Sequence, residues 1–216
     1  MSNTLLRRLA LRGLLAAALL APAAALAQPA PTPAPPATVP ATVKVTLTTS
    51  EGPIVLELQR EKAPITTANF LRYVDQKRYD GVTFYRASKT PNAPEFGLIQ
   101  GGAQNDPARV LKPIAHEPTT KTGLSHTDGA ISMGRFNPGS ATSDFFIVVG
   151  DMTYMDANPA QPGDNLGFAV FGKVVDGMDT VRKILAAPTS ATKGEGVMKG
   201  EILAKPVKII TARRAG

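Results

Sequence analysis

Between Val43 and Ile210 the apolar residues come in short runs, none longer than an ordinary strand and most of them bounded by glycine, proline, asparagine or aspartate. Val43, Val45 and Leu47 alternate with polar neighbours, Ser50-Glu51-Gly52 turns the chain, and Ile54, Leu56 and Leu58 alternate again. That pattern predicts a β-hairpin, because side chains along a strand point to opposite faces with a period of two. Strand-length runs follow at residues 82–85, 98–100, 130–133, 145–149 and 168–175, and Val207, Ile209 and Ile210 supply the last. Only two stretches have helical spacing. One starts at Pro64, carries Ile65, Ala68, Leu71 and Val74, and is expected to end near Tyr79-Asp80-Gly81. The other carries Met178, Val181, Ile184 and Leu185, begins at a weak capping box of Asp176 and Asp179, and is closed by Pro188. Many short strands with two isolated helices predict a mainly β fold closed into a barrel, since closure removes exposed strand edges.

The first residues read as a targeting segment. Arg7, Arg8 and Arg12 precede an apolar stretch at 14–20 and a small-residue site at Ala25-Leu26-Ala27. This predicts a signal peptide at 1–27, cut before Gln28, since the apolar stretch is too short to span a membrane. Residues 28–41 alternate proline and alanine and are expected to form an extended linker, which leaves residues 42–212 as one folded domain. Three of the basic residues behind the net charge of +7 lie in the targeting segment, and the others are scattered, so nucleic-acid binding has no support. Cysteine is absent, which excludes disulfides, thiol catalysis and a lipoprotein anchor. The two histidines, His116 and His126, share no metal-ligand spacing with carboxylates and read as surface or loop residues. The resulting expectation is a periplasmic or secreted monomer without a stable membrane anchor.

Two segments concentrate the chemistry. GVTFYRASKTPNAPEFGLIQGG at 81–102 and AISMGRFNPGSATSDFFI at 130–147 set apolar and aromatic residues around a few polar groups. Neither holds a metal cluster, a phosphate loop or a plausible nucleophile, and no G-x-S-x-G motif occurs to suggest a serine hydrolase. Such a surface suits a reaction that breaks no covalent bond.

EKAPITTANFLRYV, YDGVTFYR, GLIQGG, ISMGR, ATSDFFIVV and FAVFGKVVDGMD resemble, in order, stretches of the cyclophilins, the cyclosporin-binding peptidyl-prolyl cis-trans isomerases. The resemblance runs from about Val43 to Thr211 and is nearest to bacterial exported members. It implies an eight-stranded antiparallel β-barrel capped by two α-helices, cofactor-free rotation of X-Pro bonds, and proline-containing polypeptides as partners. By the same resemblance Arg86 is the catalytic arginine and Gln100 orients it. Phe146 floors the proline pocket, Leu98 and Met155 wall it, and Gly134 and Arg135 hold substrate through backbone groups.

Several positions depart from the pattern of the family's eukaryotic members. Phe168 replaces a histidine, which should keep the pocket apolar. Gly97 replaces a phenylalanine whose bulk Phe96 is expected to supply in part. Asp144 replaces a glutamine and either pairs with Arg86 or faces solvent. Tyr154 replaces a tryptophan, so cyclosporin should bind only weakly. The insertion KTPNAP is expected to alter the loop beside the site. A peptide-binding chaperone module with little turnover is the alternative function.

Overall fold

The computed structural model describes residues 40–215. The expected signal peptide and most of the linker lie outside the described residues. Strand β1 (Thr42–Thr49) pairs antiparallel with β2 (Gly52–Gln59), in register from Thr42 opposite Gln59 to Thr49 opposite Gly52. Val45, Leu47, Ile54, Leu56 and Leu58 all point inward and are buried, as a period of two requires. At the turn the Thr49 hydroxyl donates to the Gly52 carbonyl and accepts the Glu51 N–H.

Six further strands complete the sheet: β3 (Thr83–Thr90), β4 (Ala93–Gly102), β5 (Ala130–Met133), β6 (Phe145–Val149), β7 (Ala169–Asp176) and β8 (Ile202–Arg214). They join in the order β1-β2-β7-β5-β6-β4-β3-β8, and β8 pairs back onto β1 to close the barrel. Every pairing is antiparallel. The expected eight-stranded barrel is therefore present, and β8 runs two residues past the boundary at 212.

Three of the expected local features differ. KTPNAP does not form a loop: β3 and β4 extend as a hairpin, turning at Pro91-Asn92, where Asn92 adopts φ 63°. Proline fixes the first turn dihedral and asparagine tolerates the left-handed second, so the insertion carries its own turn. Asp176 and Asp179 form no capping box. Gly177 is the N-cap at φ 88°, and a Cβ there would lie 2.3 Å from the Pro53 carbonyl, so the close approach to β2 sets this helix start. Third, among the described residues the α-helices number three rather than two: α1 (Pro64–Asp75), α2 (Thr119–Thr122) and α3 (Met178–Ala186). The four residues of α2 carry no apolar periodicity from which to read a helix.

Helix α1 ends earlier than expected because Lys77 turns left-handed at φ 56°. The turn sends Tyr79 into the core, where it packs with Phe70, Phe145 and Tyr73 at ring-centroid distances of 4.9–5.5 Å. The Tyr79 hydroxyl donates to the Ser143 carbonyl at 2.8 Å, so the buried phenol is not left unpaired. No side chain adjacent to α1 caps it. Glu117, wholly buried and distant in sequence, does so instead. Its carboxylate accepts the N–H groups of Ile65 at 3.3 Å and Thr66 at 2.7 Å, and the Thr66 hydroxyl at 2.7 Å. A negative charge at a helix N-terminus is favourable for the same reason that short polar caps are.

Strand β6 explains where a site could form. All five of its residues are buried, with Phe145, Ile147 and Val149 in the barrel core and Phe146 and Val148 in a second apolar cluster with Leu98, Met152 and Val170. That second cluster lies outside the barrel, against the outer face of the sheet.

Candidate functional site

The outer cluster opens into a cleft of about 480 Å³. A bulge in β3 makes its polar edge. Phe84 lies opposite Gly101 and Arg86 opposite Gln100, so Tyr85 is the extra residue between them. Both Tyr85 and Arg86 consequently line the cleft, although adjacent strand residues ordinarily face opposite sides. Strict alternation on β4 then delivers Leu98 and Gln100 to the cleft while Ile99 enters the core.

Arg86 is oriented on two sides. Its Nη1 donates to Gln100 Oε1 at 2.8 Å, as the sequence suggests. Its Nε donates to Glu201 Oε2 at 2.7 Å, and Nη2 lies 2.6 Å from the same oxygen. Glu201 was not singled out in the sequence. It lies far from Arg86 along the chain, in a glycine-rich stretch without any motif, so nothing local marks it.

Asp144 neither pairs with Arg86 nor faces freely into solvent. Its Oδ2 accepts the Tyr85 hydroxyl at 2.8 Å, and its Oδ1 accepts the Ser143 hydroxyl at 2.9 Å and the Gln104 N–H at 3.0 Å. Burial, reinforced by the Asp144 charge, pushes the Tyr85 phenol far above its ordinary range, so it stays protonated and keeps donating. Asp144 thus anchors the cleft edge through Tyr85 and leaves the arginine to Glu201.

The apolar half of the cleft gathers four of the residues singled out in the sequence. Phe146 is 3% exposed, and Leu98, Met155 and Phe168 line the cleft with it. The Phe168 ring meets Phe146 edge-on at 5.4 Å. Phe96 does not supply the bulk absent at Gly97. Residues 94–96 bulge out of the β3–β4 pairing, and Phe96 lies exposed against Gly150. Gly97 itself sits at φ 146°, where a Cβ would lie 2.1 Å from the Ser88 carbonyl. No side chain fits there.

Tyr154 is 80% exposed on the short 3₁₀ turn Thr153–Met155 and is not among the residues lining the cleft. Gly134 and Arg135 do line it, but not by backbone alone. The Gly134 N–H is already donated to the Asp144 carbonyl at 2.7 Å. The Arg135 guanidinium grips both carboxylate oxygens of Asp164, at 2.6 and 2.9 Å, as well as the Gly167 carbonyl. It also lies 5.2 Å from the Phe168 ring centroid. Its side chain therefore buckles the 156–168 loop against the pocket wall, a role the sequence did not suggest.

Beneath the floor lies His126, in a loop as one of the two expected placements has it, but wholly buried. Its ring is nearly parallel to Phe146 at 5.8 Å. Nδ1 lies 2.6 Å from Asp156 Oδ1, and Nε2 lies 3.0 Å from Ser132 Oγ. A carboxylate only accepts, so Nδ1 carries the proton and Nε2 accepts the Ser132 hydroxyl. Burial lowers the His126 pKa in spite of Asp156, and the ring is neutral at pH 7. These three residues have the connectivity of a hydrolytic triad, yet Ser132 is completely buried under the floor, out of reach of any acyl group. They support the pocket.

The family described as "Cyclophilin type peptidyl-prolyl cis-trans isomerase/CLD" matches residues 44–214. The chain belongs to that family. A curated peptidyl-prolyl cis-trans isomerase of Acinetobacter baylyi is 40% identical over 173 residues, covering 78% of this chain and 84% of the relative. Peptidyl-prolyl cis-trans isomerase B of Escherichia coli is 33% identical, covering 76% of this chain and 98% of its own. Among solved structures, a Cryptosporidium parvum cyclophilin determined in the presence of the dipeptide Ala-Pro superposes with a TM-score of 0.63 at 20% identity, over 80% of this chain and 99% of its own. That likeness establishes the shared fold. Within this cyclophilin, the cleft on the outer face of β3, β4 and β6 is the candidate active site.

Proposed function

We propose that this cyclophilin-type peptidyl-prolyl cis-trans isomerase accelerates X-Pro rotation in exported polypeptides, with the proline ring on Phe146 and Arg86 as the catalytic donor. Planarity of the amide sets a barrier of about 18–20 kcal/mol, and uncatalysed exchange takes roughly tens to hundreds of seconds. At the twisted state amide resonance is lost and the proline nitrogen regains a lone pair. Arg86 retains N–H groups on its terminal nitrogens with which to bond that lone pair, an interaction scarcely available in the planar ground state. Differential binding of this kind raises the turnover rate itself. Gln100 holds one side of the rotating bond, and the apolar enclosure of Phe146, Leu98, Met155 and Phe168 holds the ring.

The observation that carries this reading is the guanidinium of Arg86, fixed by Gln100 at the mouth of an apolar pocket floored by Phe146. Export rests on the targeting pattern of residues 1–27, and action on periplasmic or secreted clients follows from it. Exchange spectroscopy on an Ala-Pro peptide tests the activity. Arg86→Ala should lower kcat/KM about a hundredfold, the range of a positioned catalytic group. Wild-type binding without turnover would instead favour a peptide-binding module. Mass spectrometry of exported protein tests the leader: retention of residues 1–27 would refute its cleavage.

A further inference from the structure

Three consecutive residues of β3 all bond to Glu201, the residue just before β8. Arg86 donates from Nε to Glu201 Oε2 at 2.7 Å, and the Ser88 hydroxyl donates to Oε1 at 2.8 Å. Between them the Ala87 N–H donates to the Glu201 carbonyl at 2.9 Å. The next residue, Ile202, is the register partner of Arg86. Backbone pairing therefore fixes where Glu201 starts, and Ser88 fixes which way its carboxylate faces. Neither oxygen is free to rotate away from the guanidinium.

We infer that Glu201 is a positioning residue for the isomerase reaction, which holds the Arg86 guanidinium in its donating pose. An arginine side chain carries large rotamer freedom, and a donor must already be oriented when the lone pair appears. Gln100 alone grips one terminal nitrogen and leaves the guanidinium plane free to swing about that contact. A second grip at Nε fixes the plane. Glu201 takes this grip from the side-chain edge, so each terminal nitrogen keeps an N–H for the substrate. The Glu201 and Arg86 side chains are 27% and 17% exposed, so the pair is shielded enough to hold its geometry. This role rests on the isomerase reading of the cleft.

The test is a double-mutant cycle between Glu201 and Arg86, read as kcat and peptide affinity by exchange spectroscopy, with thermal melts to verify folding. Glu201→Ala should lower kcat about tenfold, a coupling ordinary for residues in direct contact. Peptide affinity should stay within about twofold, because the effect lies in the transition state. In the Arg86→Ala background the same substitution should change kcat no further. Glu201→Gln, which keeps an acceptor for Nε–H, should recover part of the loss. The Nε–H resonance of Arg86 should be sharp and slow to exchange in the wild type and broaden in Glu201→Ala. An equal loss in both backgrounds would assign Glu201 to the fold of its segment and overturn the inference. A gain in kcat would show a restraint on the arginine and overturn it too. If the wild-type chain itself failed to isomerise the peptide, the activity proposed above would fall, and this role with it.

Discussion

Arg86, Gln100, Phe146, Leu98, Met155 and Phe168 line one cleft: the strand residues arrive there by alternation and the β3 bulge, Met155 by its 3₁₀ turn, and Phe168 from the segment leading into β7. Partners were harder to read. Asp144 is claimed by Tyr85 and Gln104 as well as by its neighbour Ser143, and Arg86 by Glu201; apart from Ser143 these partners lie far apart in the chain, where no local pattern encodes the contact. His126 escaped notice because a lone histidine in a loop gives no sign of burial. Tyr154 stands where the resemblance places an indole, and it projects into solvent beside the cleft. Its ring offers less platform than an indole and carries no ring N–H, so cyclosporin should bind weakly. Tyr154→Trp should tighten cyclosporin by several-fold, since burying an aromatic body at an interface contributes on the order of 1 kcal/mol beyond the smaller ring. Titration calorimetry measures it, and an unchanged affinity would mean that another residue limits the drug.

At the scale of elements, the strands were legible and the devices that aim them were not. Alternation located the β1–β2 hairpin, but the β3 bulge at Tyr85 appears in no pattern, because one inserted residue leaves the apolar spacing nearly intact. Helix starts show the same division. Proline at the first position announced α1, while its cap came from Glu117 across the fold. Glu117→Ala should leave two α1 N–H groups and the Thr66 hydroxyl without their acceptor, and the two donors on Thr66 are buried. A hydrogen bond to a charged group contributes about 1.5–3 kcal/mol, and orphaned buried donors add to the loss. Denaturant unfolding should therefore show a fall in stability of at least about 2 kcal/mol, with peptide isomerisation at low denaturant little changed. A loss smaller than about 0.5 kcal/mol would mean that water replaces the carboxylate, as it does at exposed helix ends.

Across the whole molecule, the titrating groups set a pH range for stability, and each sign follows from which state binds more protons. His126 has a folded pKa below its ordinary value, chiefly through burial, so the unfolded chain takes up that proton first as pH falls. Stability should decline below about pH 6.5 on this account alone. A second decline should begin near pH 4. Asp75 and Asp80 are held below the usual carboxylate range by hydrogen bonds from Arg214 and Arg213, which tie β8 to α1 and to the turn that follows it. Their contribution is present above the unfolded value and lost as pH falls through the folded one. Tyr79 and Tyr85 are raised by burial, so the unfolded chain loses those protons first, and stability should also fall above about pH 10. His126→Gln separates the stages. Glutamine keeps a donor and an acceptor but does not titrate, so its unfolding free energy should be flat between about pH 5 and 7, where the wild type slopes upward. The imidazole is nearly parallel to Phe146, which floors the pocket, so protonation of the ring should also be felt at the pocket floor. Peptide affinity in the wild type should weaken over the same interval in which its stability declines, and the glutamine variant should show neither change. A wild-type stability that stays level down to pH 5 would mean that Asp156 holds the protonated ring as well as the fold holds the neutral one.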